Sequence, residues 1–201
     1  MAVISTLVDV TAGQSSNGDR VVSPGELIVF NGGTIADTVV VDGGIMIISA
    51  GGSATDTTLQ DDGSQLDVSS GGKASSTSVT GGTFNVSAGG NAIDTWVTGG
   101  TFNVSAGGNA RDTSVTGGTM NVSSGGTADS TSVAAGGTMN VAAGVTARNA
   151  SVGGDGTLNV SAGGVLLPAK EPAFGLGSAL TIKDPNDRNV TATATVLSGG
   201  A

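Results

Sequence analysis

The chain has 201 residues, of which 36 are glycine and none is cysteine, histidine or tyrosine, and its net charge is −9. That composition excludes disulfides and thiolate metal sites, histidine bases and ligands, and the basic footprint that nucleic-acid binding needs. Aromatics at 2% cannot build an ordinary globular core, so any order must come from regularly placed apolar positions, which disordered chains lack.

The first residues, MAVISTLVDV, carry no basic n-region and do not form a signal-peptide pattern. Residues 1–25 are expected to be a degenerate first coil led by Ala2-Val3-Ile4. From there an apolar column recurs at Val10, Val29, Ile48, Val68, Val86, Val104, Val122, Val141 and Val160, spaced by 18 to 20 residues. A second column, 11 residues after each anchor, runs Val21, Val40, Leu59, Val79, Val97, Val115, Val133 and Val152. That offset never varies, so every length change falls between the second column and the next anchor. A third column sits six after the anchor and is mostly alanine, from Ala54 to Ala147. A fourth sits two before it and includes Phe84, Phe102, Met120 and Met139. Self-similarity at a fixed period is the signature of a stacked repeat.

Residues 83 to 118 state the unit twice, as TFNVSAGGNAIDTWVTGG and TFNVSAGGNARDTSVTGG. In Thr83-Phe84-Asn85-Val86-Ser87 the apolar residues alternate with polar ones, which predicts a strand with one buried face. Gly89-Gly90 turns the chain, and Ala92 makes a short inward contact at a tight corner. Asp94 to Thr98 is a second strand with Val97 inward, so the Thr95 hydroxyl needs a partner if it is buried. Gly99-Gly100 leads to the next unit. No helical stripe occurs. The prediction is all-β: a single-stranded parallel β-helix, or β-solenoid, of about eight coils of 18–20 residues, roughly 40 Å long. Right-handed winding follows the crossover rule. A stack of antiparallel hairpins is the rival arrangement.

The repeat region is placed at residues 1–165 and a different segment at 166–201. There, Leu180-Thr181-Ile182 and the stretch from Val190 to Val196 flank the turn signal Asp184-Pro185-Asn186-Asp187. A C-terminal β-hairpin cap is expected, since a solenoid leaves open edges at its ends. The alternating 190–196 stretch also suits pairing with another copy.

Stacking predicts exposed ladders: Thr83, Thr101 and Thr119, and beside them Asn85, Asn103 and Asn121, able to hydrogen-bond along the rod. Ser87, Ser105, Ser123 and Ser161 recur just before glycine corners as plain turn residues or acceptors of O-linked sugar. Trp96 stands in a column otherwise filled by valine, threonine and serine, faces outward, and is a possible contact for a sugar or partner. Asp37, Asp56, Asp94 and Asp112 form a column best explained by Asx turns at each corner. Gly153 to Leu158 only partly matches a calcium-binding repeat, and Asn-x-Ser/Thr sequons are by-products of the repeated strand. Carboxylate pairs among Asp37, Asp56, Asp61 and Asp62 are the only glycosidase-like option. No catalytic set, metal site or cofactor is assigned.

The pattern apolar-x-Val-Ser-x-Gly-Gly-x-Ala-x-Asp-Thr-x-Val-x-x-Gly-Gly, from Phe84 to Gly100, resembles the repeats of diffuse-adherence-type (AIDA-type) autotransporter adhesins over roughly residues 8–165. The resemblance implies a right-handed β-helical passenger outside the cell, on a bacterial surface, used for adhesion or self-association and the formation of biofilm. It also implies O-heptosylation of Ser and Thr by a dedicated glycosyltransferase (a heptosyltransferase), with Ser87, Ser105, Ser123 and Ser161 as candidates and Thr95 and Thr113 disfavoured if inward. The expectation is therefore a non-enzymatic extracellular rod for adhesion, lateral or end-to-end self-association or O-glycan display, with host or bacterial surface glycans as partners and no membrane insertion. The alternatives are a filament subunit stacking through its ends and an ice- or surface-binding solenoid using the threonine rows.

Overall fold

The computed structural model describes residues 2–167 and one further strand, Ala179–Lys183. These residues form an all-β solenoid of about nine turns, with coils of about 19 residues and no helix. Strands stack into two parallel sheets, one of fourteen strands and one of ten among the described residues. Pairing is parallel throughout them, which rules out the hairpin stack.

The fifth coil shows how sequence makes the shape. Thr83–Val86 lies in the ten-stranded sheet with Phe84 and Val86 fully buried and Thr83 and Asn85 half-buried. The Gly90 N–H then donates to the Ser87 carbonyl at 2.9 Å. Gly89 has φ 76°, the left-handed position of a type II turn, where a side chain is strained. Asn91–Val97 follows in the other sheet. Its inward residues are Ala92, Thr95 and Val97, a spacing that strict alternation forbids. Asp94 resolves the mismatch. At φ 54° it adds a kink that shifts the side-chain phase by one, as a bulge does.

That kink recurs in each coil whose corner is described: Gly18, Asp37, Asp56, Ser76, Asp94, Asp112, Ser130 and Asn149 all have positive φ. Asp and Asn tolerate this conformation better than other side chains. The expected Asx hydrogen bond is replaced by this backbone role, because Asp37, Asp56, Asp94 and Asp112 accept no hydrogen bond through their side chains among the described residues.

The four apolar columns stack in register. Val86 pairs with Val104 and Val104 with Val122, Val97 with Val115, Ala92 with Ala110, and Phe84 with Phe102. The Phe84 and Phe102 rings lie 4.7 Å apart at 13°, and Met120 and Met139 continue the row, fully buried. Burying each such side chain stabilises by about 1.5–3 kcal/mol before the cost of ordering it. Length changes fall in the loops before each anchor, as at Asp61 to Ser64 against Gly81-Gly82.

Pairing continues past residue 165. Val165–Leu167 adds to Thr146–Arg148, and Ala179–Lys183 adds in parallel to Thr157–Ser161, with Leu180 opposite Leu158. The rest of the expected C-terminal hairpin, including 190–196, lies outside the described residues.

Candidate functional site

The ten-stranded sheet presents three outward rows: threonine, asparagine and serine. Thr83, Thr101 and Thr119 are register partners and half-buried by their neighbours above and below. Asn85, Asn103 and Asn121 are also half-buried, and they form a one-directional amide chain. Asn103 Nδ2 donates to Asn85 Oδ1 at 2.9 Å, Asn121 to Asn103 at 2.9 Å, Asn140 to Asn121 at 2.7 Å and Asn159 to Asn140 at 2.8 Å. The chain ends on a carboxylate: Asn85 Nδ2 donates to Asp67 Oδ1 at 2.8 Å, while Gln65 Nε2 donates to Asp67 Oδ2 at 2.6 Å. The asparagine row therefore fastens coil to coil.

The serine row is different. Ser87, Ser105, Ser123 and Ser161 are exposed, and their hydroxyls make no hydrogen bond among the described residues. Their backbones are tied down: each carbonyl accepts the type II turn N–H at 2.8–2.9 Å, and the Ser87, Ser105 and Ser123 N–H groups each donate to the previous coil at 2.9 Å. Ser87, Ser105 and Ser123 thus sit in consecutive coils, about 4.8 Å apart, as fixed, outward nucleophile-bearing positions. Ser123 and Ser161 also line a shallow groove of about 330 Å³ with Asn121, Asn140 and Asn159. Ser49 and Ser69 occupy the same column, half-buried, and position relative to the anchors could have found them.

Thr95 and Thr113 face the interior. Thr57, Thr77, Thr95, Thr113 and Thr131 form a buried column whose hydroxyls lack partners among the described residues. Asp19 takes this place in the first coil and is satisfied by the Ser16 hydroxyl and, at 3.4 Å, the Ala2 N–H.

On the other sheet Trp96 is 47% exposed. It pairs in register with Ser78 on one side and Ser114 on the other, both short. It closes a groove of about 360 Å³ lined by Asp37, Asp56, Ser76, Ser78, Thr58 and Val39. Further along, Arg111 sits 3.6 Å from Asp129, which also accepts from Asn149 at 2.9 Å. Asp42 is taken by Arg20 at 2.6 Å, and Asp61 accepts the Asp42 N–H at 3.2 Å. Asp61 thus ties its loop to the loop of the coil before. Among the described residues no three Asp, Glu, His or Cys side chains converge to hold a metal, and no helix is long and apolar enough to cross a membrane.

No family model and no curated protein matches the chain. Among solved structures it is similar to the TibC-catalysed hyper-glycosylated TibA55-350 fragment, at 22% identity and a TM-score of 0.58, over 90% of this chain and 95% of that one. At that identity the likeness speaks for the fold.

Proposed function

We propose that this chain is a non-enzymatic rod, extracellular or on a bacterial surface, that displays O-linked glycans for adhesion or self-association. The observation that carries the reading is the serine row. Its hydroxyls are exposed and unpartnered on a backbone pinned by ladder and turn hydrogen bonds, so a transferase meets the same geometry coil after coil. The solved neighbour of like fold is a hyper-glycosylated fragment, which supports a glycosyltransferase as partner; that it is a heptosyltransferase rests on the resemblance of the repeats. Sugars on adjacent coils would form a continuous polar coat along one face, suited to contact with another rod or with surface glycans. Thr95 and Thr113 are excluded as acceptors because they face the core.

The test is intact-mass measurement and glycopeptide mapping, on the chain co-expressed with TibC and on the chain from its native host. The expected result is a ladder of mass additions, lost stepwise in Ser87→Ala, Ser105→Ala and Ser123→Ala. An unmodified mass in both preparations, or sugars confined to other columns, overturns the reading.

A further inference from the structure

We propose that the groove ending at Trp96 is a saccharide-binding subsite that takes a short neutral oligosaccharide. This goes beyond the display function and does not depend on any serine being glycosylated.

Trp96 is the one tryptophan of the chain, in a repeat whose neighbouring copy has serine at the same place, Ser114. A large apolar ring half open to water, between two serines, covers nothing in the core. It offers a flat apolar surface of the kind that packs on the C–H face of a pyranose. From it two rows run back over the preceding coils, Ser76, Asp56 and Asp37 in one and Ser78, Thr58 and the apolar Val39 in the other. Asp37 and Asp56 are exposed, and their carboxylates have no partner among the described residues. The kinked backbone at φ 53° and 52° fixes where they start. Ser76, Ser78 and Thr58 supply hydroxyls that both donate and accept.

Chemistry narrows the occupant. Free carboxylates accept strong, charge-assisted hydrogen bonds from sugar hydroxyls, whereas a sulfated or uronic-acid chain would meet like charge here and across a molecule of net charge −9. A quaternary ammonium is recognised by a cage of several aromatic rings, and this groove holds one. The groove crosses four coils, about 14 Å at the usual strand spacing, which suits a short oligosaccharide better than one ring.

The single tryptophan makes the test direct. Unglycosylated recombinant protein is titrated with maltohexaose, cellohexaose and mannohexaose while Trp96 emission is followed. At least one should produce a saturable change that survives high salt. Calorimetry then compares variants: Trp96→Ser, which copies the sister coil and should keep the unfolding transition, should abolish binding, and Trp96→Phe should retain part of it. Asp56→Ala should weaken binding about tenfold or more, the loss expected for a hydrogen bond to a charged group. The proposal is overturned if no neutral oligosaccharide gives a saturable change, or if Trp96→Ser binds as tightly as the parent. Salt-sensitive binding of polylysine alone also overturns it, in favour of a basic peptide site.

Discussion

Asp67 holds the end of the asparagine row, and its two carboxylate oxygens are committed to two different side chains. Truncating it to alanine leaves the half-buried Asn85 amide without its acceptor, so Asp67→Ala should lower unfolding free energy by about 1–3 kcal/mol. Asp67→Asn keeps one acceptor oxygen for Asn85 and should cost clearly less. Urea unfolding of the pair measures the difference, and equal losses would mean that the ladder does not depend on its terminus. Asp94 makes a contrasting case, because its contribution lies in the backbone. With φ 54° and no side-chain partner among the described residues, Asp94→Gly should be neutral within about 1 kcal/mol, since glycine adopts that conformation without strain. Asp94→Val places a β-branched residue in the left-handed region and should cost about 1–3 kcal/mol. Thermal melts that rank the two variants the other way would remove the kink from this account.

Within one coil, two features set stability in different ways. The buried threonine column carries hydroxyls with no partner among the described residues at Thr57, Thr77, Thr95, Thr113 and Thr131. Removing such a group is neutral or favourable, so Thr95→Val should hold or raise the unfolding free energy, by up to about 1 kcal/mol. A fall would reveal an ordered water bridging the column. The glycine corners act through space. A Cβ on Gly99 would stand 2.3 Å from the Thr80 carbonyl oxygen of the coil before, whereas one on Gly153 meets nothing within 4 Å. Gly99→Ala should therefore destabilise by about 1–3 kcal/mol through overpacking, and Gly153→Ala should be tolerated, a contrast that denaturant midpoints resolve. These elements also mark how far the sequence could be read. The columns at Val86, Val97 and Phe84 were legible because parallel stacking sets like over like, so the period in the chain is the period in space. The one-residue phase shift at Asp94 was missed although the odd spacing of Ala92 and Val97 carries it, because Ala92 reads as a corner contact while the structure runs one strand through Asn91–Val97. The direction of the amide ladder and its stop at Asp67 depend on side-chain orientation, which spacing does not encode. The Trp96 groove draws on residues of four coils that no local motif joins.

At the scale of the whole rod, the described strands pair with those of the coils directly before and after, so stability should behave as a sum of coil and interface contributions. The near-duplicate coils give a clean test. Excising residues 101–118 removes 18 residues and joins Gly100 to Thr119. In the shortened chain Phe84 lies against Met120, Asn85 meets Asn121, Ala92 meets Ala128 and Val97 meets Val133, all as the present register dictates. The strand spectrum should persist, unfolding should remain cooperative, and the denaturant slope should fall by about a tenth with the surface removed. Excising only residues 101–109 takes out half a coil. Strand residues of one sheet then arrive where the other sheet needs its own, and half a turn cannot close around the core. That variant should lose cooperative unfolding although it loses fewer residues. Circular dichroism and urea titration compare the two deletions directly. If the shorter deletion proved the milder, stability would be tracking residue number and not the registry of whole coils.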